Sequence, residues 1–332
     1  MSYLALMLKE FGEPETALEL VELPSEEPKN NETIVSVDAV GMHIADGLFV
    51  RGREMITRTM PCVPGFEGVG TVSKIGKSVK NLKEGDKVLL PMGTGSMRQE
   101  LKILSSQLTK VPKPYAPDEQ LALITVNGFT AYFLLEDYGQ LKKNDWIIQN
   151  AANSNVGRYL IALAKQKGIK TINIVRRKEV AKELRKLGGT EVIINTGQLP
   201  SKYVSKFIKR NIKLGIDAVA GDATENLAMC LTDGSLLVNY GTVTKKPCHI
   251  SFWTMFRKDI SLTGMSTLNG FKKRSKKKSI EIHKNLAKLA NQKLLQAKIA
   301  KQYSFKDYLK AYNHIDKTGS SRDGKVVLLP NQ

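Results

Sequence analysis

A chain of 332 residues, 42% hydrophobic and 25% charged, is long enough for two domains with a core each and has the composition of an ordinary soluble globular protein. Lys and Arg number 51 against 32 Asp and Glu, so the net charge of +19 favours an anionic partner (phosphorylated cofactor, acidic protein or nucleic acid) without choosing among them. Cys62, Cys230 and Cys248 form no CxxC pair and no even set, which excludes a disulfide framework and fits a reducing cytoplasm. The N-terminal LALML run is too short for a signal peptide, no Arg-rich leader precedes it, and no segment reaches transmembrane length, so a cytoplasmic protein without a membrane span is expected.

In chain order, the first ~120 residues read as mostly β. Thr33 to Val40 alternates, Gly68 to Val72 and Lys87 to Leu90 are short β-type runs, and Gly76, Gly85-Asp86 and Gly93 mark turns. From about Leu121 the texture becomes α/β. Trp146 to Ile148 is a short apolar run bounded by polar residues, hence a buried strand. Gly157 is expected to open an amphipathic helix carrying Val156, Leu160, Ile161 and Ala164 on one face, with Gly168 ending it. A strand over Thr171 to Val175 completes a βαβ unit, the device that seats a dinucleotide pyrophosphate on a helix N-terminus.

Its glycine fingerprint is incomplete. A G-x-G-x-x-G ending at Gly157 puts Ala152 and Ser154 where the first two glycines belong, although small residues still let a phosphate approach. On its own this loop is equally an ordinary strand–loop–helix. The residues after the second strand are more telling. An NAD site wants Asp or Glu there for the ribose 2′-hydroxyl, whereas Arg176, Arg177 and Lys178 suit a 2′-phosphate, so NADPH is the expected cofactor. The other reading is a solvated basic turn.

Beyond this unit we expect helices over Val180 to Leu187, Ser201 to Arg210 and Leu227 to Leu231. Strands are expected over Glu191 to Asn195, Ile216 to Ala220, Ser235 to Tyr240 and Ile260 to Thr263. That makes the six strands of a doubly wound sheet. Lys276 to Lys298 reads as one long basic helix with Ile280, His283, Leu286, Leu289 and Ala290 along its stripe, and the final GKVVLL strand returns to the first domain.

Several segments together resemble the medium-chain dehydrogenase/reductase superfamily, and within it the zinc-independent 2-enoyl thioester reductases of the mitochondrial trans-2-enoyl-CoA reductase type and their quinone oxidoreductase relatives. They are GFEGVGTVSKIG at 65–76, VNGFTAY at 126–132, IIQNAANSNVG at 147–157, TINIVRR at 171–177, LVNYGTVTKKP at 237–247 and the terminal GKVVLL. The resemblance implies a GroES-like, mostly-β catalytic domain over 1–120, completed by about 293–332, and an α/β Rossmann NADPH-binding domain, a doubly wound parallel sheet, over 121–292. It also implies a homodimer. Positions matching cofactor contacts are Asn127, Asn153, Ser154, Asn155, Val156, Arg176, Arg177, Lys178, Tyr240, Gly241, Thr242, Val243, Met265, Ser266, Thr267 and Lys325.

The zinc members of the superfamily have Gly-His-Glu where this chain has Gly65-Phe66-Glu67, and a cysteine ligand near the position of His43. Phenylalanine cannot ligate zinc, so no metal is expected and His43 reads as a lone packed or surface histidine. Enoyl thioester reductases protonate Cα with the help of a tyrosine after an IQG-x-Tyr stretch. The matching GMHIADGLFVRGREM has Arg53 and Glu54 after Gly52, and Leu48 where quinone reductases often carry tyrosine. No acid is therefore assigned. Asp46 and Glu67 are weak candidates whose alternative readings are a turn-stabilising aspartate and a structural ion pair.

The segment FKKRSKKKS offers Lys272, Lys273, Arg274, Lys276, Lys277 and Lys278 to the phosphates of coenzyme A, the acidic helix of an acyl carrier protein, or RNA, against the reading of a solvated helix start. Aromatic residues are nearly absent there, which argues against a single-strand stacking platform. The expected function is a zinc-independent NADPH reductase of an electron-poor double bond, most favourably a 2-enoyl thioester on CoA or a carrier protein. A quinone or enone is the alternative substrate. The rival of another class is a non-catalytic NADPH-binding protein that binds RNA or another anionic partner.

Overall fold

The computed structural model describes residues 1–332 except Met55, the last residue of the stretch at 41–55, and Thr57. The chain forms two compact units, residues 1–126 with 277–332, and residues 127–276. The first unit opens with β1 (Ser2–Leu8) and β2 (Leu18–Pro24), an antiparallel hairpin additional to the expected strands, which buries Ala5, Leu6 and Leu8. β3 (Glu32–Met42), β4 (Val69–Ile75), β5 (Lys87–Leu89), β6 (Glu100–Leu104) and β7 (Thr109–Lys110) follow. β3 pairs antiparallel with β4 on one side and with β6 over its N-terminal half, and the sheet continues from β4 to β5 and β7.

The second unit holds β8 (Trp146–Gln149), β9 (Lys170–Val175), β10 (Glu191–Ile194), β11 (Ile212–Asp217), β12 (Leu236–Asn239) and β13 (Ser261–Gly264). They are all parallel, in the order β10-β9-β8-β11-β12-β13, which is the six-stranded doubly wound arrangement with its switch point between β8 and β11. Ile147, Ile148, Ile172, Ile216, Leu237 and Val238 are buried, as strands covered on both faces require.

Several elements depart from expectation. β11 ends at Asp217 rather than running to Ala220, because the amides of Val219 and Ala220 turn back onto the Asp217 carboxylate. The helix after it spans Asp222–Ala228 rather than Leu227 to Leu231. The helix after β8 starts at Asn155, two residues before Gly157, because Ser154 is its N-cap and accepts from the Gly157 amide at 3.1 Å.

The chain then returns to the first unit. β15 (Lys325–Leu329) pairs antiparallel with β3, and β14 (Ile299–Ser304), an addition to the expected strands, lies parallel beside β15. The long basic helix spans Lys276–Asn291 and stops short of Lys298 because Asn291 is tied to Ala116 and Pro112, and Lys293 takes a positive φ of 59°. From Lys277 onward this helix groups with the first unit, as do residues 121–126, across the boundary expected from the sequence. The physical reason is a buried imidazole: His283 is hydrogen-bonded to Thr125 at 3.0 Å and Thr109 at 3.1 Å.

Candidate active site

In the second unit, the carboxyl ends of β8, β9, β12 and β13 carry most of the expected cofactor residues. Because these strands are parallel and in register, Asn153 to Val156, Arg176 to Lys178, Tyr240 to Val243 and Met265 to Thr267 emerge along one edge of the sheet. That edge is where an open α/β sheet binds its ligand. Asn127 is buried just before the helix Phe129–Glu136, apart from these strand ends in sequence.

The loop after β8 is shaped for close approach. Ala151 sits at φ 46°, and a Cβ on Gly157 would stand 2.6 Å from the Ala152 carbonyl oxygen, so only glycine allows the helix to start so near the strand. Asn155 is buried, yet neither its Oδ1 nor its Nδ2 has a hydrogen-bond partner in the protein. A buried amide left unpaired costs about 1–3 kcal/mol, so the Nδ2 donor suits an acceptor such as a pyrophosphate oxygen. Arg158 braces the loop, donating to the Asn153 carbonyl at 3.2 Å and to both carboxylate oxygens of Glu183 at 2.6 and 2.8 Å. The loop is thereby anchored to the helix Ala181–Leu187 that follows the basic turn. Arg176 and Lys178 are exposed and Arg177 is half-buried at the end of β9. On the far side, Tyr240 hydrogen-bonds Ser154, and burial pushes its hydroxyl up to about 12, so it remains a neutral phenol at physiological pH.

One residue organises this edge, and the sequence reading did not single it out. Asp217 is fully buried at the end of β11. Its Oδ1 accepts from Asn150 Nδ2 at 2.6 Å and from the amides of Val219 at 2.9 Å and Ala220 at 3.1 Å. Its Oδ2 accepts from Thr224 Oγ1 at 2.7 Å and Asn239 Nδ2 at 3.2 Å. Asn239 Nδ2 also donates to the Gly241 carbonyl at 2.9 Å, and the Val243 amide donates to the Ala218 carbonyl at 3.2 Å. One carboxylate thus sets the height of three strand ends and of the 240–243 turn.

Lys325 belongs to a different constellation, in the first unit. It opens β15, and its Nζ lies 2.9 Å from His43 Nδ1. His43 Nε2 lies 2.5 Å from Glu67 Oε1, and Glu67 Oε2 accepts from the Val126 amide at 2.6 Å. Asp46 accepts from the His43 amide at 2.7 Å, which caps the helix Ile44–Val50. His43, Asp46 and Glu67 are all buried, so His43 is neither lone nor on the surface. Its only missing signal in the sequence was the partners' distance along the chain. Burial drives the titrations: the His43 pKa falls well below normal, Glu67 rises well above, Asp46 rises to about 7 and Lys325 falls to about 8. Because an ammonium only donates, His43 Nδ1 accepts from Lys325 and Nε2–H donates to Glu67.

The basic segment is not uniform. Arg274 donates to the Gly270 carbonyl at 2.8 Å, pairs with Asp137 and lies 4.3 Å over the Phe133 ring, so it packs the helix Thr267–Lys272 within its own unit. Lys278 pairs with Glu281 at 3.0 Å. Lys272, Lys273, Lys276 and Lys277 are exposed.

Comparison with known proteins adds the following. Residues 29–113 match the alcohol dehydrogenase GroES-like domain and residues 155–284 match the zinc-binding dehydrogenase domain. The chain is 34% identical over 267 residues to the mitochondrial enoyl-[acyl-carrier-protein] reductase of Arabidopsis thaliana, covering 78% of this chain and 71% of that protein. It is 31% identical over 326 residues to the enzyme of the same name from Dictyostelium discoideum, covering 96% and 92%. The fold matches a mutant enoyl thioester reductase from Candida tropicalis with a TM-score of 0.89 at 24% identity, over 99% of this chain and 100% of that one. It matches the Escherichia coli quinone oxidoreductase complexed with NADPH with a TM-score of 0.81 at 24% identity, over 98% and 100%.

Both His43 ring nitrogens are engaged, one of them by an ammonium, and Phe66 packs its ring 5.9 Å from that of Phe49. Among the described residues no three His, Cys, Asp or Glu side chains group to hold a metal ion. The extent of the match to the Dictyostelium and Arabidopsis enzymes is decisive: this chain belongs to the family of the mitochondrial enoyl-[acyl-carrier-protein] reductases, built on a GroES-like unit and a Rossmann unit.

Proposed function

We propose that the protein is an NADPH-dependent, zinc-independent reductase of an electron-poor C=C bond, with a 2-enoyl thioester on coenzyme A or a carrier protein as its substrate. The observation that carries this reading is the near full-length similarity to enoyl-[acyl-carrier-protein] reductases, joined to a sheet edge whose second strand ends in Arg176, Arg177 and Lys178. The basic turn supports NADPH over NADH, as does a related enoyl thioester reductase structure solved with NADP and crotonyl-CoA. When bound, the cofactor supplies the hydride. The second unit's own residues would hold it: Ser154, Asn155 and the free amides of the helix Asn155–Gln166 at the pyrophosphate, the basic turn at the 2′-phosphate, and Tyr240 to Val243 with Met265 to Thr267 along the remainder. In this reading the first unit is the catalytic domain and the second the NADPH-binding domain. The donor set around His43 supports metal independence.

A quinone or enone is the alternative substrate, because Arg53 and Glu54 stand where the enoyl thioester reductases would carry a tyrosine, although Leu48 likewise departs from the quinone reductases. Exposed Lys272, Lys273, Lys276, Lys277 and Lys278 are offered to the phosphates of CoA or the acidic face of a carrier protein, and RNA is the less favoured occupant. A homodimer is supported by β13, an edge strand, beside the helix Phe252–Lys258, which exposes Phe252 (65%), Trp253 (61%) and Phe256 (69%). Among the described residues no helix is long and apolar enough to cross a membrane. Three unpaired thiols suit a reducing compartment; the cytoplasm is our reading, and the mitochondrion is the one suggested by the relatives' names. The test is turnover: purified protein is expected to consume NADPH with an enoyl-CoA and to form the saturated thioester. NADPH binding without turnover of any enoyl thioester, enone or quinone would leave the non-catalytic, anion-binding reading instead.

A further inference from the structure

We propose that Lys325, positioned by His43 and Glu67, is the proton donor of the reduction, an assignment that rests on reading the chain as an enoyl thioester reductase. Delivery of a hydride to Cβ moves the C=C π pair onto Cα and the thioester carbonyl as an enolate. Completion requires a new Cα–H bond. The Lys325 ammonium supplies that proton, its N–H bond breaks with the pair left on nitrogen, and water recharges the amine.

Four observations carry the assignment. The segment Gly41 to Glu54, where a tyrosine is expected by resemblance, holds none. The same segment instead supplies His43, whose Nδ1 grips the Lys325 ammonium at 2.9 Å while its Nε2–H is held by Glu67 at 2.5 Å. That chain fixes the imidazole tautomer and aims the ammonium, as a carboxylate orients a catalytic histidine. Of the four members, His43, Asp46 and Glu67 are buried and Lys325 alone is part-exposed, so it is the one that can meet a substrate. A second cation, Arg322, faces both Lys325 and His43 and donates to the Ile315 carbonyl at 3.3 Å.

The titratable groups facing Lys325 are therefore His43, neutral and accepting from it, Glu67 and Asp46, which hold its proton on, and Arg322, which with burial drives it off. Tyr312, on the helix Tyr308–Ile315, feels Asp46 and is kept neutral by burial. An acid poised at about 8 is well matched to proton transfer near neutral pH, where an unperturbed lysine would be too weak an acid.

The experiment measures kcat against pH with NADPH and crotonyl-CoA for the wild type, Lys325→Arg and His43→Gln. NADPH affinity is measured separately by fluorescence, and folding by circular dichroism. The wild-type kcat is expected to be level on the acid side and to fall as pH rises through about 8, with a solvent deuterium isotope effect. Lys325→Arg keeps the charge but does not release a proton, so kcat is expected to drop by roughly 10²–10⁴-fold, as for loss of a general acid. His43→Gln is expected to retain more activity and to move the alkaline limb, which a purely structural histidine would not do. If Lys325→Arg keeps kcat within about threefold and the same pH profile, the donor assignment is wrong while the reductase reading stands. A wild-type profile that stays level as pH rises through about 8 and beyond refutes the donor without recourse to any variant. A wild type that reduces no enoyl thioester at any pH removes the function and the donor together.

Discussion

The Asp217 carboxylate offers the sharpest test of how the cofactor edge is built. Substituting Asp217→Asn keeps shape and volume but replaces one acceptor oxygen with a donor and removes the charge. If the remaining oxygen stays with Asn150 Nδ2 and the Val219 and Ala220 amides, the new NH2 faces Thr224 Oγ1 and Asn239 Nδ2. The threonine hydroxyl can rotate and accept. The Asn239 amide cannot, so two donors oppose each other in a fully buried place. One unsatisfied buried donor costs about 1–3 kcal/mol, and the surviving bonds lose their charge assistance, while relief of a buried charge offsets part of this. We expect a net loss of about 2 kcal/mol in the second unit. Trp146 and Trp253, the two tryptophans of the chain, both lie in that unit, so urea unfolding followed by tryptophan fluorescence reports on it selectively. Because Asn239 also holds the Gly241 carbonyl, NADPH affinity is expected to weaken roughly tenfold, the equivalent of ~1.4 kcal/mol. An unchanged urea midpoint with unchanged NADPH affinity would refute the view that Asp217 sets the edge.

Further expectations concern the two units separately. Replacing Arg176 and Arg177 together with Ala is expected to erase most of a preference for NADPH over NADH worth ~1–3 kcal/mol; equal affinity of the wild type for the two cofactors would contradict it. His283 is held neutral, with its pKa pushed down to about 3 by burial, so the stability it confers is complete above the unfolded value of about 6.5 and is lost as pH falls toward 3. The slope is at most ~1.4 kcal/mol per pH unit, and because raised carboxylates such as Asp46 pull the other way, the measurement is the difference between wild type and His283→Gln in urea midpoint from pH 7.5 to about 5. Changing Lys272, Lys273 and Lys277 to Glu is expected to raise KM for an enoyl-CoA and flatten its salt dependence, while sparing a small uncharged enone; identical low-salt thioester kinetics would exclude docking there.

What the sequence disclosed and what it hid follow from how far the signal lies along the chain. The βαβ unit was legible because a strand, a small-residue loop and an amphipathic helix are neighbours in sequence, and Val156, Leu160, Ile161 and Ala164 show the helical period directly. Even there the helix start was misplaced by two residues, because Ser154 was read as a substitute glycine rather than as the cap. The β1 and β14 strands lacked clear markers. β14, IAKQYS, is part-exposed along its length and presents no apolar alternation to read. The Asp217 hub is invisible locally, since its partners lie at Asn150, Thr224 and Asn239 and only the closed sheet brings them together.

The His43 constellation is the extreme case, and it bears on how such a site can change chemistry. Lys325 is 282 residues from His43 and reaches it only because β15 returns to pair with β3, setting Val326 opposite Met42. Register then does what proximity in sequence cannot: a one-residue slip would turn Lys325 away from His43 and bury its neighbour instead. The strand pairing that completes the first unit is therefore also what places an ammonium beside an imidazole and a carboxylate. With Phe66 in place of an imidazole and Lys325 donating to His43, which Glu67 holds from its other side, a part-exposed cation sits beside side chains that elsewhere suit a metal ion. An ammonium in that place differs from a metal in one chemical respect that matters for reducing an alkene, which is that it carries protons it can give away.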